Sequence, residues 1–444
     1  MKFGLSTYAP MVVYIACIIV FLAMCFYKRE IGLYFIVALL PLERLMEKLD
    51  QFPLGKDIVD IYVITLLALC LLRPATSEEK DYGSLIPTKP ILLYVLLTYI
   101  YLWLGSLQLG IDLPISWGDS RSMNWKNHMI LPVLFLITLK TVRDKRQIIL
   151  FSSIVLVSIF LLDFHFYRNF EHTGGHFKWD KRDTGMFAHL GPNEIAAFWA
   201  EYSFIIIGIL FLCEQNFWKW SLLALLSLNM YCLLYSFSRG GYLAFLAAFL
   251  FISLVHRNIK ALALLVLFLV FWTSLVPQSV VERIEMTEGE EGGLDSSSQG
   301  RLLRWEHGMS LFLKNPLGYG FETAGYLHFP RSGFGGDPHN RYMEFLVEMG
   351  IPGILLFLYL FFLAFRSGWK LYVASEDKFL KGLGLGFAAT VVACIVSNFF
   401  GVRWTYVELG AFYWIFWALV VRGNLLVQTS KDKSQEIAPL SIKQ

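Results

Sequence analysis

Long apolar runs recur along nearly the whole chain, separated by short polar breaks. They fall near residues 8–27, 31–45, 58–72, 90–107, 128–140, 147–165, 193–213, 218–237, 240–255, 259–276, 350–366, 381–399 and 406–421. A helix of about 20 apolar residues crosses the hydrocarbon core of a bilayer. The runs are continuous rather than alternating, which excludes a transmembrane β-barrel. The pattern predicts an all-α polytopic membrane protein with about twelve transmembrane helices; 31–45 and 128–140 are short for spans.

One break is much longer than the rest. The stretch after 277 exceeds what a structureless connection in a compact domain spans, so it is expected to be folded or functional. Within it, 282–291 is acidic, 292–300 is rich in Ser and Gly, and Leu302 to Phe312 has apolar residues at helical spacing. The expected organisation is a first helical bundle over 1–276, a large loop containing short helices over 277–349, further transmembrane helices over 350–427 and a disordered polar tail over 428–444. No internal repeat is visible, and no secretory signal peptide is expected at the first apolar run.

Charge orients the spans. Lys/Arg clusters mark cytoplasmic loops, and they occur at Lys28-Arg29, Lys140 to Arg146, Arg257/Lys260, Arg366 to Lys381 and after Arg422. Alternating the spans puts all five on one side. The other side receives 46–57, 108–127, 166–192, the Ser238-Arg239 turn, the long loop and 400–405. An odd span count places the N-terminus outside and an even count inside. The chain is 56% hydrophobic and 16% charged, against roughly 25% charged for soluble domains. A net charge of +3 gives no reason to expect nucleic acid. Cys17, Cys25, Cys70, Cys213, Cys232 and Cys394 all lie in or beside apolar runs, which speaks against a disulfide framework or a cysteine-ligated metal.

The candidate chemistry gathers between Arg301 and Gly353. His339 follows Asp337-Pro338 shortly before the chain re-enters the membrane, where a neutral imidazole could take a proton from a sugar hydroxyl. The bland alternative is a solvated or helix-capping histidine. Arg239 sits between two apolar runs, where a guanidinium is costly unless it is paired or faces a polar cavity; the alternative is a snorkelling helix-end arginine. Arg182 leads toward Asn193, which is placed as a helix cap. Arg301 and Arg304 open the amphipathic stretch. Several arginines converging on one face would match a pyrophosphate, which accepts paired guanidinium contacts. His165, His172, His176 and His189, with Asp180 and Asp183, lack metal-ligand spacing, so no metal site is expected there. Trp125, Trp179, Trp305 and Trp404 are interfacial residues or sugar-stacking platforms.

Four pieces in order resemble the O-antigen ligase and polymerase superfamily of bacterial inner membranes. They are Arg182…Gly185-Met-Phe…Pro192-Asn193-Glu-Ile-Ala196, Ser238-Arg239-Gly240, Arg301…Trp305 with Asn315-Pro-Leu-Gly-Tyr-Gly320, and His339-Asn340-Arg-Tyr342…Glu348-Met-Gly350-Ile-Pro-Gly353. The likeness covers roughly 180–420; the first 170 residues add only hydropathy, and the insertion at 282–300 has no counterpart.

The resemblance implies a GT-C-like glycosyltransferase in a Gram-negative inner membrane, multi-pass among the membrane lipids, with its active site facing the periplasm. Its donor would be an undecaprenyl-pyrophosphate-linked glycan and its acceptor a lipid A core sugar, with no cofactor and no metal. His339 would be the base, with Arg239 and Arg301 as further catalytic residues. Arg182, Arg304, Asn340, Tyr342 and Asn193 would bind substrate. The form of the Ser-Arg-Gly and His-Asn pieces favours a ligase over a polymerase or a protein O-oligosaccharyltransferase. Outside the family, a transporter of a polyprenyl-linked or anionic solute would carry polar groups within several spans. A scaffolding protein leaves Arg239 and the His339 loop without purpose.

Overall fold

A computed structural model describes residues 5–40, 42–72, 79, 83–115, 118–171, 175–187, 190–255, 259–287, 295–329 and 338–437. Among them all regular elements are helical. They are α1 (Leu5–Phe26), α2 (Arg29–Leu39), α3 (Glu43–Met46), α4 (Ile58–Leu71), α5 (Thr88–Leu109), α6 (Ser120–Thr141), α7 (Lys145–Asn169) and α8 (Pro192–Leu212). There follow α9 (Asn216–Tyr235), α10 (Arg239–Val255), α11 (Ile259–Leu275), α12 (Gln278–Glu285), α13 (Ser296–Lys314), α14 (Arg341–Ala374), α15 (Lys378–Ser397) and α16 (Val407–Ile437).

Every apolar run noted above folds as helix, and the chain is an all-α, multi-pass membrane protein. Among the described residues eight helices can cross a bilayer by length and composition, namely α1, α5, α7, α8, α9, α14, α15 and α16, against the twelve or so expected. A ninth results if α11 and α12, bent by 102° at Val276-Pro277, are one broken span. The shortfall has a geometric cause. The 11 residues of α2 rise only about 16 Å, roughly half the hydrocarbon core. The 14 residues of α4 and 17 of α10 also fall short. α6 is long, but its first half carries Arg121, Asn124, Lys126, Asn127 and His128. At the far end α16 stays helical to Ile437, past the point where the polar tail was expected to begin; 438–444 lie outside the described residues.

Helices α8, α15 and α16 form the buried centre. Ile195 to Ile209 are all buried in α8, and Ala411 to Leu425 contribute three large aromatics, Tyr413, Trp414 and Trp417. Glycines let these helices approach. A Cβ on Gly208 would stand 2.5 Å from Gly386 Cα, and one on Gly382 would stand 2.5 Å from Gly208 O. Two residues along the helix from either, a Cβ on Gly384 would lie 2.6 Å from Tyr372 N. Thus α15 presents small residues to α8 on one face and to α14 on another, the arrangement that lets membrane helices pack closely. Gly386→Leu is expected to destabilise the protein by about 3 kcal/mol through overpacking. The check is a thermal melt in detergent followed by gel filtration; a melt like the wild type's would mean that α8 and α15 do not meet there.

Two carboxylates lie inside this centre, and both have partners. Asp163 accepts from Trp199 Nε1 at 2.7 Å and Asn229 Nδ2 at 3.2 Å. Glu201 accepts from Ser397 Oγ at 2.6 Å.

The long loop is pinned rather than suspended. Gly350, at φ +60°, breaks α14 before Pro352, so residues 341–349 form a separate helical piece. The Asn315–Gly320 segment lies against that break: Tyr319 N donates to Val347 O at 2.9 Å, Gly320 N to Glu348 O at 2.7 Å and Ile351 N to Pro316 O at 3.1 Å. Phe321 N reaches Tyr101 O of α5 at 3.1 Å. Gly318 and Gly320 both have positive φ, and a side chain on either would run into the neighbouring backbone. This glycine motif is therefore a clamp between α5 and α14.

Candidate functional site: an arginine basin beside His339

Arg239 opens α10 from a strained turn. Phe237, two residues earlier, has φ +55°, an uncommon left-handed conformation for a bulky residue. A Cβ on Gly240 would press on Phe400 at 2.9 Å and one on Gly241 on Ala196 at 3.0 Å, so both glycines let α10 seat closely against α8 and the 398–403 turn. Arg239 Nη1 donates to Thr287 Oγ1 at 2.6 Å, and Nη2 pairs with Asp295 Oδ2 at 2.9 Å. Asp295 in turn caps α13 by accepting from Ser298 N at 3.0 Å.

Four more guanidinium groups lie within electrostatic reach. Arg182 donates to Ser236 O at 3.0 Å and to Asn193 Oδ1 at 2.9 Å. Burial pushes Arg182 down to about 10; Tyr242 and Glu194 oppose that fall, and Arg239 and Arg301 add to it. Arg283 is buried under the rings of Trp179, at 4.4 Å, and Phe177, and its Nε and Nη1 have no hydrogen-bond partner. Arg301, one turn into α13, is pulled down by burial and then by Arg403 and Arg239. Arg403, 3% exposed, donates from Nη1 to Ser397 O at 2.9 Å, leaves Nε without a partner, and is lowered chiefly by burial.

Five guanidinium groups thus share one basin with three carboxylates, Glu194, Glu201 and Asp295. Arg182 and Arg283, both pushed down to about 10, still stay charged at neutral pH. Like charges crowd together here, two of them with unsatisfied buried donors, which makes the cluster suited to a multiply charged anion.

His339 stands at the edge of the same region, exposed and with φ +51°. Both of its neighbours are anchored. Trp305, one helical turn beyond Arg301 on α13, donates from Nε1 to Pro338 O at 3.1 Å. Asn340 caps α14, its side chain accepting from Tyr342 N at 2.9 Å and Met343 N at 3.1 Å. Tyr342 donates to Ile395 O at 2.7 Å and packs on Phe399, ring centroids 4.4 Å apart. Phe399 and Phe400 are adjacent, so the 398–400 turn is touched by the His339 helix on one side and by the Arg239 helix on the other.

Several expectations land differently. Asn193 is not the cap of α8: Gly191 occupies that position and Pro192 the first helical position, where proline's missing N–H costs nothing. Asn193 instead holds Arg182. Asn340 and Tyr342 are engaged as a cap and an anchor, which orient His339. Arg304 is buried one turn from Arg301. Asp337, His172 and His189 lie outside the described residues. His176 pairs with Glu282 Oε1 at 2.8 Å. Among the proposed sugar platforms, Trp404 is buried in the aromatic core and Trp125 binds Thr98 Oγ1 at 3.1 Å, whereas Trp179 carries Arg283. Sequence reasoning missed Arg283, Arg403 and Glu194. The available signal was orientation: positive charges in 277–287 and 400–405, loops assigned to the side poor in Lys and Arg, need a reason to be there.

Fold and site together define a multi-pass membrane protein with a cation-lined basin where its long loop folds back on the helices. Residues 221–358 match the family described as O-antigen ligase, which supports membership of the O-antigen ligase and polymerase superfamily. The match supports ligase- or polymerase-type glycosyl transfer in general. The matched segment contains Arg239, Arg283, Arg301 and His339, while Arg182 and Arg403 fall outside it. No curated protein matches the chain.

Proposed function

We propose that this protein transfers a glycan from undecaprenyl pyrophosphate to a lipid A core sugar hydroxyl at the periplasmic face of a Gram-negative inner membrane. His339 takes the hydroxyl proton as the acceptor oxygen attacks the anomeric carbon. The new glycosidic bond forms as the bond from that carbon to the pyrophosphate oxygen breaks, with inversion. Undecaprenyl pyrophosphate leaves with its developing charge held by Arg182, Arg239, Arg283, Arg301 and Arg403. Preorganised cations in a partly dry site stabilise such charge far better than water does.

The observation that carries this reading is the excess of five guanidinium groups over three carboxylates beside an anchored, exposed histidine. It favours an anionic leaving group over a transported solute. The buried Asp163 and Glu201 lie within spans, as a transporter would have, but both are tied to neighbouring side chains.

The test is purified protein in detergent with the polyprenyl-linked glycan, lipid A core acceptor and EDTA, followed by gel separation of the glycolipids. Transfer without any gradient and in the presence of EDTA is expected. Lengthening of the donor glycan alone would make the protein a polymerase, and neither product would overturn the enzyme reading.

A further inference from the structure

A second polar cavity, of about 240 Å³, lies away from the arginine basin, between the start of α6, the 322–326 turn and the first two turns of α14. Its walls include Asn124, Glu322, Tyr326, Glu344 and Glu348. Its chemistry is the reverse of the basin's. Three carboxylates face it, while the cation on its wall, Arg121, is already committed. Arg121 donates to Asp119, to Ser106 Oγ at 2.8 Å and to Asp112 O at 2.5 Å. Behind Glu344 the buried Arg341, 1% exposed, pairs with that carboxylate but leaves Nε and Nη2 without hydrogen-bond partners. Such a group is costly to bury unless the surroundings complete its bonding.

The wall groups are built to grip hydroxyls. Asn124 Nδ2 donates to Glu322 Oε2 at 3.0 Å, and Glu348 Oε1 accepts from Ala324 N at 3.0 Å, so both carboxylates are fixed in direction. Carboxylates and an amide can each bridge neighbouring hydroxyls of a sugar. Tyr326, 44% exposed and with the Arg121 guanidinium 5.8 Å from its ring centre, offers a flat apolar surface on which a pyranose stacks. The volume is below the range of about 300–1,000 Å³ typical of drug-sized ligands, which suits a single ring. A phosphate or carboxylate would find no unpaired cation on these walls, since Arg121 is held by Asp119.

We propose that this cavity is a subsite for one sugar ring free of phosphate and carboxylate, belonging to the acceptor glycan. The assignment to the acceptor rests on the transfer reading above; the binding of a neutral ring does not. Available cations then sort the substrates: the basin offers them to the pyrophosphate, and the carboxylate-lined cavity does not. Glu344 lies on the first turn of the helix that His339 leads into, its N–H bonded to Asn340 O at 3.0 Å. A ring held there lies at the side of the loop from which an acceptor would reach the base.

The experiment uses the purified full chain in detergent with methyl α-glucoside, methyl β-galactoside and glucose 6-phosphate, observed by saturation-transfer NMR. Both methyl glycosides are expected to receive saturation and glucose 6-phosphate none. Tyr326→Ala and Glu322→Gln are expected to weaken the signal roughly tenfold, and Arg239→Lys to leave it intact. In a transfer assay the same two variants should raise the acceptor KM and leave the donor KM unchanged. Undiminished glycoside signals in both variants, or equal saturation of glucose 6-phosphate, would overturn the subsite. Sugar binding that follows the variants without any transfer to lipid A core would leave the subsite standing and remove the acceptor assignment. Binding lost in the variants with normal transfer kinetics would likewise leave the subsite standing and remove the acceptor assignment.

Discussion

Replacing His339 with Asn is expected to leave insertion, folding and donor binding intact while transfer falls by about 10²–10⁴-fold, the usual contribution of a positioned general base. Asn is chosen for the backbone. His339 has φ +51°, where alanine is strained and asparagine is readily accommodated. His339→Ala is also expected to be inactive, but it adds strain at a residue held between Trp305's bond to Pro338 and the Asn340 cap. The asparagine variant separates loss of the imidazole from loss of the loop. If His339 is the base, kcat falls and the donor KM holds, because the interaction removed belongs to the transition state. Wild-type kcat in His339→Asn would end the base assignment.

The outline of the fold was open to a reader of the sequence because bilayer thickness and helical rise leave a long apolar run few choices. Thirteen runs were marked and all are helical, but run length alone does not separate a span from a shorter buried helix. α2 and α4 are apolar throughout and too short; what they have instead is a place in the bundle, with Leu33, Ile36 and Leu66 fully buried. The site was half legible. Arg182, Arg239 and Arg301 stood out as cations in an apolar chain, and they do meet. Arg283 and Arg403 did not stand out, since each lies alone in a short segment and joins the others only after α12 bends back and α15 closes with α16. Asn340 and Tyr342 were read as binding residues, and the Asn315–Gly320 motif as a piece of the long loop. Their roles in holding the loop are tertiary: the hydrogen bonds from Tyr319 to Val347 and from Tyr342 to Ile395 join segments whose pairing no local pattern announces. The carboxylate cavity was invisible for the same reason, being assembled from three separate parts of the chain.

Arg239→Lys is expected to cost about 10²–10³-fold in kcat, the scale for losing one preorganised donor to a developing anion, although the formal charge is kept. The guanidinium spreads its nitrogens: Nη1 is on Thr287 and Nη2 on Asp295, which leaves the remaining N–H directions for the basin. A lysine has one nitrogen on a flexible stem and cannot hold both partners and a phosphate oxygen in that geometry. A purely structural alternative exists, because Asp295 caps α13 and Arg239 steadies it. Asp295→Asn tells the two apart. Asparagine is as good a helix cap as aspartate, so α13 keeps its start while the ion pair is lost. If Arg239 serves only as a strut, Asp295→Asn reproduces the lysine variant's defect. If Arg239 holds pyrophosphate, removing a carboxylate that competes for the guanidinium leaves transfer intact and lowers the donor KM. The pair of variants therefore assigns Arg239 from the direction of a KM change rather than from loss of activity alone. Wild-type turnover by Arg239→Lys, or a rise in donor KM in Asp295→Asn, would show that the anion is held elsewhere in the basin.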